Sequence, residues 1–105
     1  YIIKPELLHW ETTPIKGFFS KKLIEMERGG FKLIKVAPDS FYPIHSHPEK
    51  AEVIYVLEGS PEVIIGDNCH AGINGDFFII PASVKHSIKN KNNKECILLL
   101  GAIKI

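Results

Sequence analysis

The chain has 105 residues and a formal net charge of +1, enough for a single domain with one hydrophobic core over residues 1–105. The near-balanced charge argues against a nucleic-acid surface, because the basic residues are scattered and the run from Lys89 to Lys94 is broken by three asparagines, which reads as a solvated turn. No apolar run approaches the roughly 20 residues that a helical membrane span needs, and no signal peptide is visible.

The first residues, 1–17, carry Pro5, Trp10 and a polar Glu11-Thr12-Thr13. This segment is expected to pack on the outside of the fold or on a partner subunit. Phe18-Phe19 leads into Leu23-Ile24-Glu25-Met26-Glu27, a strand, and Gly29-Gly30 is a hairpin turn signal. Phe31 to Val36 returns as the next strand and Pro38-Asp39-Ser40 ends it.

The stretch from Asp39 to Gly59 carries the chemistry. His45 and His47 are one residue apart, so in an extended strand both imidazoles point to one side. Glu52 opens the apolar run Val53-Ile54-Tyr55-Val56-Leu57, which reads as a strand. A turn over Pro48 to Ala51 folds that strand back, so that two imidazoles and a carboxylate converge, a common way to hold a divalent transition metal. Ile54 and Val56 share the face of Glu52, while Val53, Tyr55 and Leu57 form an apolar opposite face. A strand apolar on both sides is covered on both sides, here by the N-terminal segment or by a second subunit.

Further on, Pro61 to Ile65, Cys69 to Ala71, Phe77 to Ile80, Val84 to Ile88 and Cys96 to Ile105 read as strands, with turns at Gly66-Asp67 and Gly72 to Asp76. His86 shares a face with Val84 and Ile88 and therefore points inward. Alone it reads as a core histidine; beside His45, His47 and Glu52 it reads as a further ligand. Cys69 and Cys96 form no CxxC pair and read as free thiols of a reducing, cytoplasmic compartment. Short strands punctuated by glycine and proline, with no sustained 3.6-residue period, predict an all-β sandwich or barrel.

The two stretches together resemble the paired motifs of the cupin superfamily. The first family motif, G(X)5HXH(X)3-4E(X)6G, is met by His45, His47, Glu52 and Gly59, with Asp39 in place of the leading glycine. The second, G(X)5PXG(X)2H(X)3N, is met by Gly75, Pro81, His86 and Asn90, with Ser83 in place of the middle glycine. Asp and Ser are themselves turn formers. The resemblance implies a small single-domain cupin, a jelly-roll β-barrel (double-stranded β-helix), and a homodimer packed through its sheets.

Three imidazoles and one carboxylate leave one or two octahedral positions of a divalent ion open. Mn or Fe is favoured, with Zn, Ni, Co and Cu compatible with the same N/O donors. Such a centre expects a small oxygen-rich ligand or substrate and chemistry of the oxygenase, isomerase or decarboxylase type. A non-catalytic metal-binding or sensing module is the alternative, because the fold hosts many activities. Glu49 and Tyr42 are the candidate acid–base residues, with Lys50 a further one. For Glu49 a solvated turn position is the competing reading.

Overall fold

The computed structural model describes residues 2–105. After a 3-10 turn at Pro5–Leu7, the described residues form ten strands. They are β1 (Glu11–Thr12), β2 (Phe18–Met26), β3 (Gly29–Val36), β4 (Ser40–Phe41) and β5 (Lys50–Glu58), followed by β6 (Glu62–Ile65), β7 (Asn68–Ala71), β8 (Phe77–Ile80), β9 (His86–Asn90) and β10 (Cys96–Lys104). A six-stranded antiparallel sheet runs β1-β2-β3-β10-β5-β8, and a four-stranded sheet runs β4-β9-β6-β7. This is the all-β architecture expected from the strand pattern, in the jelly-roll form that the resemblance implies.

The inner faces of the two sheets meet in a core of Phe18, Ile34, Val36, Ile54, Val56, Val63, Ile80, Cys96 and Leu98. Residues that face each other across neighbouring strands share a side of the sheet. Val56 and Leu98 therefore point inward together, as do Ile54 and Leu100. Full burial of one such side chain contributes about 1.5–3 kcal/mol, so the alternation of apolar and polar positions sets which side faces in. β2 breaks the alternation: its pairing with β3 shifts between Lys22 and Ile24. Lys22, in step with Phe18 and Ser20, faces in with Lys32, and after the shift Ile24 faces out with Phe31.

Several local expectations are corrected. The β2–β3 hairpin turns at Glu27-Arg28, and Gly29 and Gly30 already belong to β3. Their backbones pass so close to neighbouring strands that a Cβ on Gly29 would overlap the Ala102 carbonyl, and one on Gly30 the Ile24 carbonyl. The glycines thus mark close approach between strands. The fourth-quarter strand begins at His86 rather than Val84.

The N-terminal segment adds β1 to the edge of β2. Trp10 stacks under Lys21 and Lys35, whose ammonium groups lie 4.6 and 4.9 Å from the indole ring centroid. Lys21 also donates to the Pro5 carbonyl at 2.9 Å. This anchors Trp10 beside β2 and β3 and leaves the outward residues of β5 uncovered. Tyr55 and Leu57 are exposed, and so are Phe31, Phe77, Ile79 and Ile103 on neighbouring strands. No described helix is long and apolar enough to cross a membrane.

Candidate metal centre

His45 and His47 lie on an extended connection between β4 and β5, not within a regular strand. Pro43 and Pro48 remove the backbone donors that a ladder needs on either side. A single bridge holds the segment to β9: His45 and His86 exchange backbone hydrogen bonds of 3.1 and 2.9 Å. The Tyr42 N–H donates to the Ile88 carbonyl, the Ser87 hydroxyl donates to the Tyr42 carbonyl, and the Ser83 N–H donates to the His47 carbonyl. These bonds tie the two sequence motifs together through main chain, so the imidazoles are positioned by backbone rather than by side-chain packing alone.

Glu52 reaches the same point from β5, where it pairs across the sheet with Ile80 and Ala102. One potential ligand atom from each of His45, His47, Glu52 and His86 lies within 4.8 Å of the others. His86 Nε2 is 3.0 Å from Glu52 Oε1, and His47 Nε2 is 3.5 Å from the same oxygen. Glu52 and His86 are buried, whereas His45 and His47 are half-buried.

The second ring nitrogens show how the imidazoles are prepared. His45 Nδ1 sits 2.9 Å from the Pro43 carbonyl and His86 Nδ1 sits 2.9 Å from the Val84 carbonyl. Carbonyls only accept, so both Nδ1 atoms carry protons, and in the neutral ring each Nε2 keeps a lone pair for a ligand. This is the outer-shell arrangement that orients metal-binding histidines. The donor set and its spacing therefore fit a divalent transition ion.

Charge and a hydrogen bond couple Glu52 to His86. Burial pushes the Glu52 carboxyl up, but the His86 hydrogen bond and the nearby Lys50, His47 and His86 charges more than offset it, so its pKa falls below the ordinary value. Burial pushes the His86 ring down, and the hydrogen bonds to Glu52 and Val84 with the Glu52 charge outweigh that, so its pKa rises. His45 moves down, chiefly because it is buried, with the His86 and His47 charges acting the same way.

The cluster opens onto a cavity of about 370 Å³ whose walls include Phe18, Ile34, Ile54, Ile80 and Leu100. Tyr42 lines it, with its ring centroid 4.6 Å from that of His45. Lys50 lines it too. Glu49 occupies the exposed turn before β5 and is not among the cavity-lining residues. Two groups of cavity residues went unnoticed in the sequence. One is the N-terminal Glu11 to Pro14, and the other is the pair Lys22 and Lys32. Lysines within strands ordinarily read as solvent-facing and the polar N-terminal residues as lying outside the fold, so no local signal marked them.

The motif departures acquire a physical meaning. Asp39 and Ser83 are the described non-glycine residues with positive φ, at 55° and 69°. Both stand where the family pattern has glycine, which enters that region without a steric cost. Gly59 and Gly75, which keep the pattern, also have positive φ, at 95° and 92°.

Fold, motifs and site together define a cupin. The Cupin domain family profile matches residues 32–101, and the chain belongs to that family. Among solved structures it resembles a predicted oxalate decarboxylase from Thermotoga maritima, with a TM-score of 0.92 and 20% identity over 100% of both chains. KdgF from Halomonas sp. gives 0.87 and 16% identity, covering 100% of this chain and 96% of that one. The polyketide cyclase RemF from Streptomyces resistomycificus gives 0.87 and 24% identity, covering 98% and 78%. At these identities the likeness establishes the fold. No curated protein matches the sequence.

Proposed function

We propose that this cupin binds one divalent transition metal through His45, His47, Glu52 and His86 and acts as an enzyme on a small oxygen-rich molecule. The observation that carries the proposal is the asymmetry of the cluster. Glu52 and His86 are buried behind it, while His45 and His47 are half-buried beside the cavity. A structural zinc site is typically closed by four protein ligands, whereas this one faces space for a ligand. Octahedral Mn or Fe is the preferred occupant.

When bound, the ion supplies Lewis acidity and a template for chelating oxygens. The chain supplies the rest. The carbonyls of Pro43 and Val84 hold the tautomers of His45 and His86. The apolar wall of Ile34, Ile54, Ile80 and Leu100 lowers the local polarity beside the cluster, which strengthens polar contacts made against it. Tyr42, which lines the cavity with its ring against His45, is the proposed proton donor or acceptor for isomerase, decarboxylase or oxygenase chemistry. Lys50 is a second polar group near the cluster. Glu49, on its exposed turn, is the weaker candidate.

A non-catalytic binding module is the second reading, favoured by the scarcity of acid–base groups beside the cluster. The two are separated by metal identification together with thermal-shift measurements against small carboxylates and diols. Ligand-dependent stabilisation follows from mass action and is expected to disappear in His86→Ala. Persistence of the shift in that variant would place the ligand away from the cluster and remove the catalytic proposal.

We also propose a homodimer through the outer face of the six-stranded sheet. Phe31, Val53 and Ile79 share one cross-strand row, and Tyr55 and Phe77 share the next. The N-terminal segment, held at Trp10, leaves these rows uncovered. Light scattering at low micromolar concentration is expected to give twice the chain mass, and a monomer would refute it.

A further inference from the structure

The inner face of the six-stranded sheet is apolar beside the cluster and basic at one end. Lys22 of β2 faces Lys32 of β3 in register, and Lys50 of β5 faces Lys104 of β10. Like charges placed directly opposite each other destabilise a sheet, so these two pairs carry a cost without the packing return of the neighbouring Ile34, Ile54 and Leu98. Lys22, Lys32 and Lys50, with Glu52, line both the metal cavity and an adjoining recess of about 240 Å³ that also reaches Lys104. The basic groups and the candidate metal ligands therefore border one connected space.

The charges of that space do not cancel. Among the described residues, the one carboxylate at ion-pair distance from these four lysines is Glu25, 3.8 Å from Lys22. Both partners of that pair are well exposed, and such a contact contributes little. Glu52 is occupied by His86 and His47. The remaining carboxylates lining the two recesses are Glu11 and Glu25, against four ammonium groups. A divalent ion balanced by Glu52 alone adds a further positive charge. A cleft with one sign of charge and low-dielectric walls concentrates ions of the opposite sign.

We propose that Lys22, Lys32 and Lys50 form an anion subsite beside the metal cluster, so that the substrate is a small molecule with two anionic ends. One end presents oxygen donors to the cluster. The other, a carboxylate or phosphate, rests on the lysines, which serve as point charges for such groups. This rests on the metal-dependent reading above and narrows its substrate from oxygen-rich to dianionic.

The test measures binding of succinate, glycerol 3-phosphate, acetate and uncharged erythritol by calorimetry and thermal shift. The proteins are wild type, the double variant Lys22→Met with Lys32→Met, the double variant Lys22→Arg with Lys32→Arg, and Lys94→Met as an exposed control. Each is measured metal-loaded and after chelator treatment. Succinate or glycerol 3-phosphate is expected to bind wild type more tightly than acetate, with affinity falling by about tenfold or more in the methionine variant. Binding should be retained in the arginine variant and in Lys94→Met. Preference for one of the two dianions assigns the second end as carboxylate or phosphate. The methionine variant is expected to melt no lower than wild type without ligand, because it relieves a like-charge pair.

Unchanged dianion affinity in the methionine variant, equal affinity for erythritol, or no dianion binding overturns the inference. Failure of the metal reading is seen separately. In that case chelator-treated and metal-treated protein bind the dianions alike, and the dependence on Lys22 and Lys32 still decides the subsite.

Discussion

Glu52→Gln tests the cluster with the least change of shape. In the metal-free protein the His86 Nε2–H donates to Glu52 Oε1 at 3.0 Å, with both side chains buried. The amide oxygen can still accept that bond, so the substitution removes charge rather than contact. Hydrogen bonds to charged groups contribute about 1.5–3 kcal/mol and neutral ones about 0.5–1.5, so the expected loss is about 1 kcal/mol. In a domain of this size that lowers Tm by roughly 4–8 °C. The pH dependence has a definite sign. The lowered pKa of Glu52 contributes stability above its unfolded value of about 4.3, and that contribution is lost as pH falls through the folded value. The raised pKa of His86 contributes stability below its unfolded value of about 6.5, and that is lost as pH rises through the folded value. The destabilisation is therefore largest between these two values and shrinks at alkaline pH, where His86 is neutral. Urea unfolding of chelator-treated protein at pH 5.5 and 8.5 measures it. In parallel, metal titration of the variant should show at least the roughly 10- to 100-fold loss in affinity that removal of an outer-shell partner produces. Equal urea midpoints at both pH values would refute the buried ion pair, and wild-type metal affinity would remove Glu52 from the ligand set.

Once a substrate is in hand, Tyr42→Phe should lower turnover by about 10²–10⁴-fold with metal content unchanged, whereas Glu49→Gln should stay close to wild type; the reverse order would reassign the acid–base role. Ser83→Gly should stabilise the protein by up to about 1 kcal/mol in urea, because Ser83 holds a φ of 69° that glycine adopts freely. Gly59→Ala should destabilise by about 1–3 kcal/mol, since the position combines a φ of +95° with a Cβ only 2.8 Å from Cys96 Sγ. Thiol titration of native protein at neutral pH should modify Cys69 alone. Cys69 is exposed, while Cys96 is fully buried and its thiol is pushed up, mainly by burial, so a second equivalent should appear only on unfolding.

The sequence by itself determined the fold class and the convergence of His45, His47 and Glu52, because both rest on short-range regularities; His86 was added through its inward face and the cupin resemblance, and its bridge to His45 is a tertiary contact. The period of two in β5 places Glu52, Ile54 and Val56 on one side, and the HxH spacing with a short turn brings His45, His47 and Glu52 within reach of one another. The turns at Asp39 and Ser83 were legible although the cupin pattern has glycine there, because Asp and Ser form turns; their left-handed φ came from the structure. Tertiary structure decided what surrounds the cluster. Lys22 faces in because it keeps the alternation of Phe18 and Ser20, whereas the register shift just after it turns Ile24 outward, and a local pattern does not reveal such a bulge. Lys32, Lys50 and Lys104 join it through the pairing of strands far apart in the chain. Likewise the position of Trp10 over β2 and β3, and with it the open outer face of β5, depends on where the N-terminal segment docks. These are non-local outcomes of sheet order and register, set by which apolar faces can be buried together rather than by any neighbouring residue.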